Sequence, residues 1–227
     1  MQRLLLATGM CCVFSTALIG ADDKKDAKQK APDKKWVLIN LQPQANQKLK
    51  ENFHYECPNA PNSLGELPTG EQTLAGVKFK IGESCIQLGS KRLTDKPDKV
   101  EGIKVDKKLS KLHFLHAAGF ALELAEDTVV GEYTVNWDDG NSVSIPLVSG
   151  KDLLDWWYKE DSPEPKRGKV AWKGDNEFAK GRDYKIRLYL TTWENTKPDK
   201  KVTSIDFSST MDTDCAPFCV AMTAEEK

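Results

Sequence analysis

Residues 129–147 (VVGEYTVNWDDGNSVSIPL) keep a strict two-residue period on both sides of a turn. Tyr133, Val135 and Trp137 alternate with Glu132, Thr134 and Asn136; beyond the turn Val143, Ile145 and Leu147 alternate with Ser142, Ser144 and Pro146. This is the pattern of two strands with one face buried and the other wet. A two-residue turn at Asp139-Gly140 would set Val135 opposite Ser144, mixing the two faces. A three-residue loop, Asp138-Asp139-Gly140 with Gly140 left-handed, instead pairs Trp137 with Asn141, Val135 with Val143 and Tyr133 with Ile145. All the apolar side chains then share one face, which needs a second sheet to cover it.

The same period recurs along the chain. Residues 36–41 read as a first strand with Val37, Ile39 and Leu41 on one face, and Val77, Phe79 and Ile81 alternate with Lys78 and Lys80. Short strands are expected at 85–88 and 100–105, and residues 111–118 are apolar on both faces, as in a central strand. Tyr184, Ile186, Leu188 and Leu190 form a further face; Ile205 and Phe207, then Phe218, Val220 and Met222, close the chain. Residues 42–70, with Pro58, Pro61 and Pro68, read as a long irregular connection. Residues 150–158 (GKDLLDWWY) read as a short helical turn capped by Asp152. The expected fold is all-β: an antiparallel two-sheet β-sandwich, jelly-roll-like, of about nine or ten strands with little helix.

The N-terminus changes the compartment. Arg3, a mostly apolar run over 4–19, and the small residues Gly20 and Ala21 form the pattern of an export signal. Residues 1–21 are therefore expected to be a signal peptide and 22–35 (DDKKDAKQKAPDKK) a disordered charged linker, leaving 36–227 as a single domain. The mature chain carries no second apolar stretch, so no membrane span is expected and the protein is placed in the periplasm or outside the cell. Its charge, net −1 over 227 residues, offers no basic face for nucleic acid. Four cysteines remain beyond the signal, and an even number in an exported chain points to disulfides. Cys215 and Cys219 are too far apart along a strand to bond to each other. Cys57–Cys85 is the expected bridge.

Candidate chemistry is sparse. His113 and His116 point to opposite faces of a strand and share no metal, and no nucleophile elbow, zinc-protease, P-loop or dinucleotide fingerprint occurs. The acidic pairs Asp138/Asp139, Asp152/Asp155 and Asp212/Asp214 specify no cleft by themselves. Asp212-Thr213-Asp214 offers carboxylates for a structural Ca²⁺ but lacks the spaced ligand run of a calcium loop; no other cofactor is expected. The tryptophans say more. Trp156 and Trp157 are adjacent and hard to bury together, and Trp193 sits on the parity opposite Leu188 and Leu190. With Trp172, and with Asp152, Asp155 and Asn176 nearby, they make a candidate sugar-binding surface; the competing reading is that they cap the end of the core.

The segments LGELPTGEQTLAGVKFKIG (64–82), KLHFLHA (111–117), YTVNWDDG (133–140), GKDLLDWW (150–157) and TTWENTKPDKKVTSIDF (191–207) resemble a group of secreted bacterial β-sandwich modules. Those modules are similar to galactose-binding-like jelly rolls and are described as carbohydrate-binding-like. The resemblance covers most of residues 64–224, excludes the four cysteines and carries no residue-level site. It implies a non-catalytic exported module that binds a glycan or a cell-surface protein; the other reading is a structural or protein-interaction module of the envelope.

Overall fold

A computed structural model describes residues 34–54 and 57–227. The expected signal peptide and all but the end of the charged linker lie outside the described residues. The described residues begin with Lys34 and Lys35, which pair with Glu225 and Glu226 at 2.7 and 2.5 Å.

The chain is an all-β sandwich organised around one long strand. In order come β1 (Trp36–Ile39), β2 (Gln47–Lys48), β3 (Gly70–Leu74), β4 (Val77–Ile81), β5 (Ser84–Gln87) and β6 (Lys99–Gly119). There follow β7 (Val129–Trp137), β8 (Ser142–Val148), β9 (Trp157–Tyr158), β10 (Lys169–Gly174), the short helix α1 (Glu177–Lys180), β11 (Lys185–Glu194), β12 (Lys201–Ser209) and β13 (Ala216–Glu226). Where two strands were expected at 100–105 and 111–118, β6 runs unbroken through 21 residues. Its first half pairs with β12, which continues through β7 to β8. Its second half lies between β11 and β13. Gly102 and Asp106, both at positive φ, fall in the first half, near the change of partners. The charged Asp106-Lys107-Lys108 run between the two apolar stretches looks like a loop in sequence, yet it is an exposed part of a strand passing between two sheets.

The hairpin of β7 and β8 has the expected register: Tyr133 faces Ile145 and Val135 faces Val143. Trp137 N–H donates to the Asn141 carbonyl at 2.9 Å, and Gly140 has φ +79°. Its apolar face closes on the second sheet through Tyr133, which stacks on Phe114 at 3.9 Å and on Phe207 at 4.6 Å. At the centre of this interface the Tyr133 hydroxyl lies 3.2 Å from His116 Nδ1, and His116 Nε2 lies 2.9 Å from Thr191 Oγ1. His116 is thus a satisfied core histidine, and burial pulls its pKa down to about 4.

The second sheet is covered on its far side as well. The β3–β4 hairpin buries Val77, Phe79 and Ile81, and Thr223 Oγ1 on β13 donates to the Lys78 carbonyl at 2.7 Å. The irregular connection after β2 adds Phe53 against Phe218. This second cover explains why β13 is buried at ten of its eleven positions.

Two expectations are corrected. Residues 150–158 form no helix: they make a turn and then β9. Asp152 caps nothing because its carboxylate is engaged elsewhere, accepting Val148 N–H at 2.9 Å and a bidentate pair of bonds from Arg167 at 2.6 Å each. The helix that does form is capped by Asn176, whose Oδ1 accepts Ala179 N–H at 2.7 Å. Nor does a disulfide join Cys57 to Cys85. The irregular connection is anchored without one, by the Gln47–Cys85 ladder pair, by Leu64 N–H to the Leu49 carbonyl and by Asn62 Nδ2 to the Phe53 carbonyl. Cys85, Cys215 and Cys219 are buried thiols; burial raises all three, Cys219 to about 12.

Candidate functional site

The tryptophans do not line up as an exposed row. Trp156 is 2% and Trp157 9% exposed. Trp156 packs on Phe53 and Phe218 because the segment is extended and its side chains alternate, one going to the core and the other toward α1. Trp157 Nε1 donates to Asn62 Oδ1 at 3.2 Å, which also accepts Asn176 Nδ2 at 3.2 Å. Trp172 and Trp193 are half-buried against the core. Trp193 shares the parity of Tyr189 and Thr191; that side faces His116 and the space between the sheets, not solvent as expected.

Trp156, Trp157 and Asp155 nevertheless converge on a cavity, in company the sequence reading did not choose. A space of 140 Å³ is lined by His54, Asn62, Arg92, Phe120, Leu122, Asp155 and the two tryptophans. It adjoins a more open one of 400 Å³ that shares Arg92, Phe120 and Leu122 and adds Glu123 and Asp214. Together they form a cleft at one end of the sandwich, walled by residues from five separate stretches of the chain. On the other side of His54 lies a groove of 590 Å³, lined mainly by polar groups such as Gln47, Lys50, Asn52 and Lys96.

Each wall is held for a physical reason. His54 has φ +71°, a strained backbone for a residue with a side chain. Its ring is boxed by Phe53, Phe120, Trp156 and Phe218 at centroid distances of 5.1–5.9 Å. It lies against Gly119, where a Cβ would sit 2.2 Å from Nε2. A bond to the Ala216 backbone holds the ring; Nε2 is buried and has no partner among the described residues. Burial pulls this imidazole down to about 3, so it is neutral. Because one ring nitrogen donates to Ala216, Nε2 is left as an acceptor.

Asp155 ties two walls together. Its Oδ2 accepts Ala121 N–H at 2.6 Å and its Oδ1 accepts Trp157 N–H at 2.8 Å. Burial raises the carboxyl to about 7 against the pull of these donors and of Arg187. Phe120, at φ +57°, presents its ring to Arg92, whose guanidinium carbon lies 4.3 Å from the centroid. Leu122 is 51% exposed at the rim.

Compared with protein-family models, curated protein sequences and solved structures, the chain finds no match. The site therefore has to be read from its own geometry.

The remaining predicted positions fall elsewhere. Asp152 lies beneath the turn with Arg167, and Asn176 serves the helix and Asn62. Among the described residues no group of three or more His, Cys, Asp or Glu is placed to hold a metal ion, and Asp212 and Asp214 gather no third such ligand. His113 carries a hydroxyl and a carboxylate, Thr192 Oγ1 at 2.8 Å on Nδ1 and Glu225 at 3.1 Å on Nε2. These are cross-strand neighbours closed over by the edge of Trp36, an arrangement that satisfies a nearly buried imidazole. No helix among the described residues is long and apolar enough to cross a membrane.

His54, Arg92, Phe120 and Leu122 were missed. One signal was available: Phe53-His54 is an aromatic pair inside a polar, proline-rich connection, and a large apolar residue there has to be buried against something.

Proposed function

We propose that the protein is a non-catalytic, exported binding module whose ligand, a glycan, enters the cleft between His54 and Arg92. The observation that carries this reading is the cleft itself: a neutral, unpartnered His54 Nε2 beside an unpaired guanidinium, with aromatic and aliphatic walls. Sugars present apolar C–H faces and directional hydroxyls together, and a few fixed polar groups in an apolar recess select them. The cleft volumes sum to the usual range for small-ligand sites, about 300–1,000 Å³. The signal-like N-terminus supports export, and the resemblance to carbohydrate-binding-like modules is consistent with the reading without adding a site.

The second reading, a structural or protein-interaction module without a small ligand, draws on the burial of Trp156 and Trp157. A glycan array probed with residues 22–227, with and without Ca²⁺, separates the two. Binding that a Leu122→Arg substitution at the rim abolishes supports the glycan reading. An empty array supports the structural one.

A further inference from the structure

Four arginines lie in the described chain, and three have their guanidinium groups engaged. Arg167 is bidentate on Asp152, Arg187 donates to the Tyr189 hydroxyl and the Pro163 carbonyl, and Arg182 donates to the Phe178 carbonyl. Arg92 alone among them makes no side-chain hydrogen bond and no ion pair with any described residue; its plane rests on Phe120. Glu123 and Asp214 line the same outer space, yet neither comes within ion-pair distance of Arg92 or of any other described cation. An unspent guanidinium fork fixed on an aromatic ring is suited to a planar anionic acceptor, and a carboxylate fits it with two parallel bonds.

The free groups of the cleft can be sorted by what they ask of a ligand. Arg92 offers only donors. His54 Nε2 and the carboxylates of Glu123 and Asp214 offer only acceptors. Asn62 and Asp155 are committed to protein partners. A complementary ligand therefore presents several hydroxyl donors and one strong acceptor. Polyhydroxylated carboxylates have that composition. The inner 140 Å³ has room for one substituent or a few waters, and the outer 400 Å³ for the ring, with Leu122 against its C–H face.

Resting on the cleft as the ligand site, we infer that the ligand is an acidic saccharide, a uronic-acid residue whose carboxylate is held by Arg92. Its hydroxyls face Glu123, Asp214 and His54. Arg92 is thus the residue that sets specificity between charged and neutral sugars.

The test is calorimetric titration of the protein with galacturonic-acid trimers and glucuronic-acid dimers, and with the methyl esters of both. The esters keep every hydroxyl and remove the charge. Arg92 is exposed, so Arg92→Gln should melt as wild type does, which is checked first. The expected result is that an acid binds at least tenfold tighter than its ester, and that Arg92→Gln removes this difference by weakening the acid far more than the ester. Arg92→Lys restores only part, because it lacks the fork. Equal binding of acid and ester, with no effect of Arg92→Gln, overturns the inference and leaves the cleft reading standing. Ester or neutral hexose binding that Leu122→Arg does not disturb overturns the cleft reading itself. No binding of any of these sugars at millimolar concentration overturns both.

Discussion

Gly119 tests whether the cleft is built as described. At its Cα the His54 ring approaches so closely that a Cβ would stand 2.2 Å from Nε2, 2.3 Å from Cε1 and 2.6 Å from Cδ2. The ring has little room to retreat, with Phe53, Phe120, Trp156 and Phe218 around it and the Ala216 backbone bonded to it. Gly119→Ala thus forces one of two changes. If the ring stays, the overpacking costs about 1–3 kcal/mol. If it swings out, its aromatic contacts are lost, each worth about 0.5–1.5 kcal/mol, and a void opens under Trp156. About 3 kcal/mol is expected, which for a domain of this size lowers Tm by about 6–12 °C. Thermal and urea melts measure it. His54→Gly also relieves the positive φ, so adding it to Gly119→Ala should recover part of the loss, giving a coupling energy of about 1–2 kcal/mol in a double-mutant cycle. A Gly119→Ala protein within 0.5 kcal/mol of wild type (about a third of that coupling) would refute the packing of His54 against Gly119.

Other substitutions and conditions follow from the same geometry. Gly140→Ala meets no atom within 4 Å and pays only for φ +79°, so it should cost about 1 kcal/mol, and Asn141→Gly much less; the reverse order in melts would misplace the turn. Arg167→Ala leaves the Asp152 carboxylate, 1% exposed, without its cation and should cost about 2–4 kcal/mol; a loss under 0.5 kcal/mol, the scale of surface pairs, would show that the pair is dispensable. His54 and His116 have pKa values below the unfolded value, so their contribution is present above about pH 6.5 and is lost as pH falls toward 4 and 3. Asp155, raised to about 7, gains stability over part of that range, so the net loss between pH 7 and 4.5 is about 2 kcal/mol; urea melts that stay flat would contradict it. Cys85, Cys215 and Cys219 should resist a thiol reagent until the chain unfolds, and dithiothreitol should leave Tm unchanged; a Tm fall on reduction would reveal a bridge.

How legible this was depended on how local the cause is. The β7–β8 register could be read because period and turn residue act within 19 residues and agree. β6 could not be read as one strand, because Asp106, Lys107 and Lys108 are charged and exposed in succession where the strand leaves one sheet for the other. The helix at 150–158 was wrong for a similar reason: Asp152 has a cap residue's chemistry, but its partner is Arg167, 15 residues on. The cleft was the least legible part. His54, Arg92 and Phe120 come from loops at three places in the chain, and only the packing of Phe53, Trp156 and Phe218 at the sandwich end brings them together.

The central claim is where the ligand binds, and backbone amide shift mapping addresses it directly. With uniformly labelled protein and a bound uronic-acid oligomer, the largest shifts should fall on Arg92, Phe120, Ala121, Leu122 and Trp156, with Trp172 and Trp193 unmoved. Shifts centred on Trp172 and Trp193, or on the β3–β4 hairpin, would contradict it.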